Sequence, residues 1–507
     1  MAAVANHSLS RWGLRGIASI VARAVSPETR VRPAVAKLRG LATRASRLGT
    51  VLLFCFTKHP KSMPPANSSE PATPSSQGRV WRAMRSLRHR NFQLFFGGQL
   101  ISLVGTWMQS VAQAWLVYRL TGSSLLLGAV GFASQFPVFL VAPIGGTIVD
   151  RHNRHRLIIA TQTASMILAF ILAWLTLSHR VHVWHIFTLA ALLGVVNAFD
   201  IPARQAFLVD MVGREDLMNA IALNSSMFNG ARIVGPAVAG IMVAAVGEGW
   251  CFLANAASYF AVLAGLLMMD VRRYVPPART ASALEHIIEG FQYVRQTAPI
   301  RTLLLLLGLV SLVGMPYAVL MPIFADRILH VGARGLGLLM GATGVGALLG
   351  ALTLAAKQGL KGLGKWVAIC SVGFGASLIL FAFARSLWLA LVLLLPVGFT
   401  IMVQMASSNT LIQSMVPDHL RGRVMAVYSM MFMGMAPFGS FFAGALADRL
   451  GAPITVAIGG VACIAGSAFF AARLPGWRAE ARQLIIAQAV AGGDPAQEMT
   501  VRGISQR

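Results

Sequence analysis

The sequence predicts an all-α membrane protein with twelve transmembrane helices in two pseudo-symmetric six-helix bundles. Three observations lead there. Of 507 residues, 56% are hydrophobic and only 12% charged, with a mean hydropathy of +0.67, whereas soluble domains carry about a quarter charged residues. Apolar runs of the roughly 20 residues that cross a bilayer recur about twelve times between Phe92 and Arg473. The chain also repeats itself. Gly194, Val212, Ala222, Ser225, Phe228, Gly235 and Gly240 return as Gly398, Val416, Ala426, Ser429, Phe432, Gly439 and Gly444, a constant shift of 204 (398 − 194). A second overlay sets Ser102-Leu103-Val104-Gly105 on Ser311-Leu312-Val313-Gly314 and Gly128 on Gly337, a shift of 209 (311 − 102). Duplicated membrane halves are how alternating-access carriers are built.

The repeat divides the chain. Residues 1–87 are a basic N-terminal extension, expected to be largely disordered, whose first eighty residues hold only Glu28 and Glu70 as acids; the apolar burst Val51 to Phe56 is too short to span. The extension has the composition of an organelle transit peptide, or lies upstream of a true start at Met63 or Met84. Met63 to Gly78, rich in Pro and Ser, reads as disordered. Residues 88–270 form the first bundle and 301–473 the second. Between them, 271–300 is a cytoplasmic amphipathic linker: Pro276-Pro277 break the preceding helix. Leu284, Ile287, Ile288, Phe291 and Val294 then recur at helical spacing against Glu285, Glu289 and Arg295. Residues 474–507 are expected to be a cytoplasmic tail.

The formal charge of +26 does not point to nucleic acid, because the basic residues are scattered over loops and tails. With the first span starting inside, the inner loops hold Arg151, Arg154, Arg156, Arg204, Arg214, Arg272, Arg273, Arg279, Arg295, Lys357, Lys361, Lys365, Arg421 and Arg423. The outer loops hold Arg119, Arg180, Arg327, Arg334, Arg385 and Arg449. This asymmetry places both termini in the cytoplasm. Cys55, Cys251, Cys370 and Cys463 are isolated, so no disulfide framework or zinc site is expected. His179, His182 and His185 lack an acid or Cys to complete a metal site. No catalytic constellation faces a common loop, and no Walker-type loop is present, so neither enzyme chemistry nor a cofactor is expected.

Five features could carry function. After the second span come Gly145, Gly146, Asp150, Arg151 and Arg154, glycines for close helix approach followed by an acid and two cations at the membrane boundary. The fifth span holds Gly235, Pro236 and Gly240, a bend whose lost backbone hydrogen bond neighbouring helices must compensate. Arg232 precedes this bend by about one turn, and an intramembrane Arg normally faces a cavity or a partner. The fourth span offers Asp200 and Arg204, spaced i to i+4. These three form the candidate proton or charge network, as a titrating site or a static bridge from Asp200 to Arg204 or Arg232. At the matching positions of the second half stand Gln404 and Ser408. Candidate cavity residues are Gln109, Gln113, Gln135, Asn224, Asn229, Gln404 and Asn409, with Gln99 and Gln413 beside them. Met430, Met431, Met433 and Met435 with Phe432 and Phe438 give the eleventh span a soft surface suited to a varied ligand.

The run Gly146-x-x-x-Asp150-Arg151-x-x-Arg154 resembles the signature of the major facilitator superfamily, over about Arg88 to Arg473. That resemblance implies the major facilitator fold and a gate latch between the halves on the cytoplasmic side. At the corresponding point of the second half, Lys357-Gln358-Gly359-Leu360-Lys361 has lost the acid. The look-alike Gly444 to Arg449 falls on the outer face and is expected to be an interfacial salt bridge. Gly235-Pro236 with Gly240 resembles the bend of drug:proton antiporters, and the usual fourth-span Arg of the superfamily is replaced by Ala190. Pro202-Ala203-Arg204-Gln205, the run from Asn219 to Ser225 and Arg232 to Pro236 resemble the enterobactin-exporter branch, also called transmembrane secretion effectors. Similarity therefore implies a monomeric carrier in a bacterial inner membrane that exports a small-molecule substrate (siderophore, drug or secondary metabolite) across the lipid bilayer, driven by protons. Rival expectations are an importer or lysophospholipid flippase of the same fold, and a non-transporting sensor or assembly partner.

Overall fold

The computed structural model describes residues 84–271, 283–357 and 359–492. The expectations for 1–83, Pro276-Pro277, Gln358 and 493–507 lie outside the described residues. No strand occurs among those described, and twelve helices are long and apolar enough to cross a membrane. In the first half they are Arg90–Thr121, Ser124–Arg151, Arg154–Leu177, Val183–Val212, Leu217–Val246 and Glu248–Leu267. In the second they are Ala298–Ile328, Gly332–Ala356, Leu363–Ala382, Leu387–Met415, Asp418–Leu450 and Ala452–Gly492. We number these spans one to twelve. Since their number is even, the ends of the described chain share one face, called here the terminal face; the other is the far face.

The duplicated glycines do duplicated work. Gly194 packs the fourth span on Ser134 and Pro137 of the second, and Gly398 packs the tenth on Thr343 of the eighth. Gly235 seats the fifth span on Trp107 and Val104 of the first; Gly439 seats the eleventh on Leu312 and Pro316 of the seventh. Two further glycine pairs join the halves. A Cβ on Gly128 would stand 2.9 Å from the Cα of Gly444, and one on Gly337 would stand 2.8 Å from the Cα of Gly240. The overlay equates Gly128 with Gly337 and Gly444 with Gly240, so these are one contact made twice. Small residues let the backbones meet, on the far-face side of spans two and eleven and of five and eight.

The seventh span departs from regular α geometry from Val310 onward, through Pro316 and Pro322. The eleventh breaks at Gly434, three residues before Pro437, because a Pro removes a helical donor. By contrast the fourth and fifth stay continuous over Pro202 and Pro236. Trp174, Trp184, Trp250 and Trp388 are 50–77% exposed at helix ends of the far face, the position of an interfacial aromatic belt.

One boundary differs from expectation. The last helix continues to Gly492, so much of 474–507 is helix, not tail. Leu474, Trp477 and Ala481 are buried at helical spacing, and the Trp477 indole donates to the Pro299 carbonyl at 3.0 Å. Arg473, Arg478, Glu480 and Arg482 dilute the hydropathy there while leaving the buried stripe intact. The linker helix, Ala283–Gln296, docks on the start of the eleventh span: Gly290 meets the Arg423 backbone, and Glu289 pairs with Arg423. Val294 is buried, whereas Ile288 and Phe291 stay exposed.

Overpacking a tight contact costs about 1–3 kcal/mol, so Gly128→Val should part the halves at the far face. A Ser123→Cys/Asp448→Cys pair should crosslink in an otherwise unaltered background, and adding Gly128→Val should lower the yield several-fold. Adding Gly97→Val, at a glycine with open space around it, should leave the yield unchanged.

Candidate functional site

Asp200 lies midway along the fourth span and is 2% exposed. Because the helix runs unbroken over Pro202, Arg204 falls one turn on, and its Nε sits 2.7 Å from Asp200 Oδ2. Oδ1 accepts from the Thr161 hydroxyl at 2.7 Å and the Gln162 amide at 2.9 Å, both on the third span. Every oxygen of this carboxylate is therefore engaged within the first half. Thr161 and Gln162 are functional neighbours that sequence reasoning missed; the signal was a Thr-Gln pair inside an apolar span. At the repeat positions Gln404, Ser407 and Ser408 are fully buried, and their side chains make no hydrogen bond to a described residue.

The expected three-residue network divides. Arg232 does not join Asp200; its guanidinium lies 5.7 Å from the centroid of the Trp107 ring. Trp107 in turn meets Phe228 edge to face at 5.6 Å. The local Arg204 satisfies Asp200, so the more distant cation is not drawn in. Gln109 also differs from a free cavity group: it is buried and accepts from Asn255 of the sixth span at 2.7 Å. Asn229 bonds its own helix at Ser225, and Gln413 bonds Asn409. Gln113, Gln135 and Asn224 are half-buried. The second and eleventh spans share an aromatic seam in which Phe438 lies 5.9–6.1 Å from Phe132, Phe136 and Phe139, and Phe139 closes on the break at Gly434.

At the gate motif, Gly145 carries the close approach, to Ala198 of the fourth span, while Gly146 has open space. Arg151 is exposed, and the side chain of Asp150 lies outside the described residues. Arg154 pairs with Asp210 at 3.2 Å, a contact inside the first half. Between halves, the far face is tied by Tyr118 donating to Asp326 at 2.8 Å and Arg327 donating to the Gly122 carbonyl at 2.9 Å. Ser123 donates to Asp448 at 3.4 Å, so the second Asp-Arg look-alike reaches across the halves through a hydroxyl, and among the described residues Asp448 makes no salt bridge.

On the terminal face, Arg85 and His89 hold Asp216 at 2.7 and 2.8 Å, and Ser86 bonds Asn219 and the Asp216 carbonyl. The His89 hydrogen bond, with help from Arg85 and against the pull of burial, holds the Asp216 carboxyl below the usual carboxylate range.

The model of a family described as "Transmembrane secretion effector" matches residues 82–491. The chain belongs to that family. It is 27% identical over 373 residues to the staphyloferrin A transporter of Staphylococcus aureus, covering 73% of this chain and 93% of that protein. It is 29% identical over 357 residues to the multidrug efflux pump Tap of Mycolicibacterium fortuitum (68% and 87% covered), and 25% over 367 residues to the enterobactin exporter EntS of Shigella boydii (72% and 86%). Among solved structures, the nucleoside transporter NupG shares the fold with a TM-score of 0.62 at 12% identity, covering 76% of this chain and 99% of that one.

This member of the secretion effector family is thus a multi-pass membrane transporter of major facilitator type and not an enzyme. Arg204 is 24% exposed at its side chain and Asp200 only 3%. Leaving the more deeply buried partner alone costs more, about 3–5 kcal/mol. Arg204→Met should therefore lower the unfolding temperature in detergent clearly, and Asp200→Asn, which keeps acceptors for Thr161 and Gln162, should lower it less.

A second expectation concerns pH. A lowered folded pKa contributes stability that is full above the unfolded value of about 3.9 and lost as pH falls through the folded value. Spin labels at Met84→Cys and Arg214→Cys should keep a narrow distance distribution from neutral pH down to about 4 and broaden only below it.

Proposed function

We propose that this transporter exports a small organic molecule, of the siderophore, drug or secondary-metabolite type, from the cytoplasm by proton-coupled alternating access, working as a monomer in a bacterial inner membrane. Both termini face the cytoplasm in this reading, so the terminal face is the inner one. Support comes from the family, from relatives named for efflux and export, and from the sorting of Arg and Lys by loop.

The observation that carries the coupling mechanism is Asp200. Among the described residues it is the one carboxylate buried near the middle of a span, against an arginine on the same helix. The proton enters there: a neutral Asp200 releases Arg204, and an ionised one recaptures it, so cargo and proton exploit the same exchange between two states. Gly146, Asp150, Arg151 and Arg154 act as the latch of the cytoplasmic gate, with Gly235, Pro236 and Gly240 shaping the bend that meets the eighth span.

The test is untargeted mass spectrometry of medium and cells, with and without the protein and with and without a protonophore. A compound should move to the medium only when protein and proton gradient are both present. Movement into cells would make it an importer. Asp200→Asn should insert normally yet fail to expel cargo against its gradient; if accumulation outside persists, another group carries the proton. Asp150→Asn should slow turnover without loss of insertion, and normal turnover would remove the latch assignment.

A further inference from the structure

Arg232 is a cation at the midpoint of the fifth span, Leu217–Val246, and no carboxylate of a described residue pairs with it. Its neighbours are neutral. Trp107 lies beneath the guanidinium at 5.7 Å, and Tyr317 of the seventh span is within its electrostatic reach. Asp200, the nearest candidate from sequence, is fully engaged by Arg204, Thr161 and Gln162. The pair of Asp200 and Arg204 is neutral in sum, so the middle of the first bundle keeps one formal positive charge.

The position of that charge matters. From Arg232 toward the far face the fifth span lies against the eighth, through Arg232 and Ile233 at Gly344 and through Gly240 at Gly337. Toward the terminal face the same stripe of the helix, Ile221, Ser225 and Phe228, is exposed. Arg232 therefore stands at the terminal-face limit of the contact between the fifth and eighth spans, where the exposed stripe of the fifth ends. An intramembrane Arg faces a cavity or a partner, and a ring face moderates its charge without cancelling it.

We infer that Arg232 on Trp107 anchors an anionic group of the cargo, so that the transported class is organic acids bearing a carboxylate on an apolar or aromatic body. The carboxylate pairs with the guanidinium, and the body lies along Trp107 and Phe228. The anion also removes the cost of enclosing a bare cation, so binding favours covering the exposed stripe of the fifth span. This rests on the transport reading above.

Equilibrium dialysis of the purified full-length protein against 1-naphthoate, 1-naphthamide and 1-naphthylmethylammonium tests it, because the three differ chiefly in charge. The acid should bind about tenfold or more tighter than the other two. Arg232→Gln should bring the acid down to the level of the amide and leave the amide unchanged, whereas Arg232→Lys should retain a preference for the acid. Equal binding of acid and amide, or a preference that survives Arg232→Gln, overturns the inference. Should Arg232→Gln fail to fold, the three-probe comparison on the unsubstituted protein together with Arg232→Lys decides: no acid preference, or none kept by Lys, overturns it. Arg232-dependent binding of the acid in a protein that moves no cargo would sink the transport reading and leave the site. Export of a cationic cargo without acid preference would do the reverse.

Discussion

The contact of bare backbone on bare backbone between the halves is the constraint on which the rest depends. At Gly128 with Gly444 and at Gly337 with Gly240 the neighbouring Cα leaves no room for a Cβ, so the halves close to a spacing that only glycine allows. That closeness brings Tyr118 to Asp326 and Arg327 to Gly122, and lets Phe438 reach the rings of the second span. It also sets where the fifth and eighth spans begin to touch, which defines the place of Arg232. Alternating access requires such an interface to be bistable, and at these two glycine pairs no side chains interdigitate, so the backbones there can part and re-form without repacking.

Symmetry of packing coexists with asymmetry of charge. Gly194 and Gly398, like Gly235 and Gly439, serve the same junction each in its own half, yet Asp200 and Arg204 have become Gln404 and Ser408. The first half holds an ion pair satisfied on every carboxylate oxygen, and the second holds neutral polar groups in the same frame. At these matched positions the buried ion pair therefore belongs to the first half alone.

Much of this was legible in the sequence, because membrane helices announce themselves by apolar length and because glycines and i to i+4 charges are local signals. The twelve spans, the repeat and the pairing of Asp200 with Arg204 follow from those. What was not legible is contact between distant elements. Nothing local shows that Gly128 answers Gly444, that Asn255 takes up Gln109, or that Thr161 and Gln162 complete the shell of Asp200. The helical course beyond Arg473 was hidden for another reason: an amphipathic stripe of Leu474, Trp477 and Ala481 carries little average hydropathy. Whether Asp200 pairs with Arg204 or Arg232 stayed open because sequence distance cannot rank two cations for one acid.

The belt of tryptophans has a mechanical consequence. Trp174, Trp184 and Trp250 belong to the first half and Trp388 alone to the second, and indole rings resist leaving the headgroup zone. The two bodies are thus moored unequally at that surface.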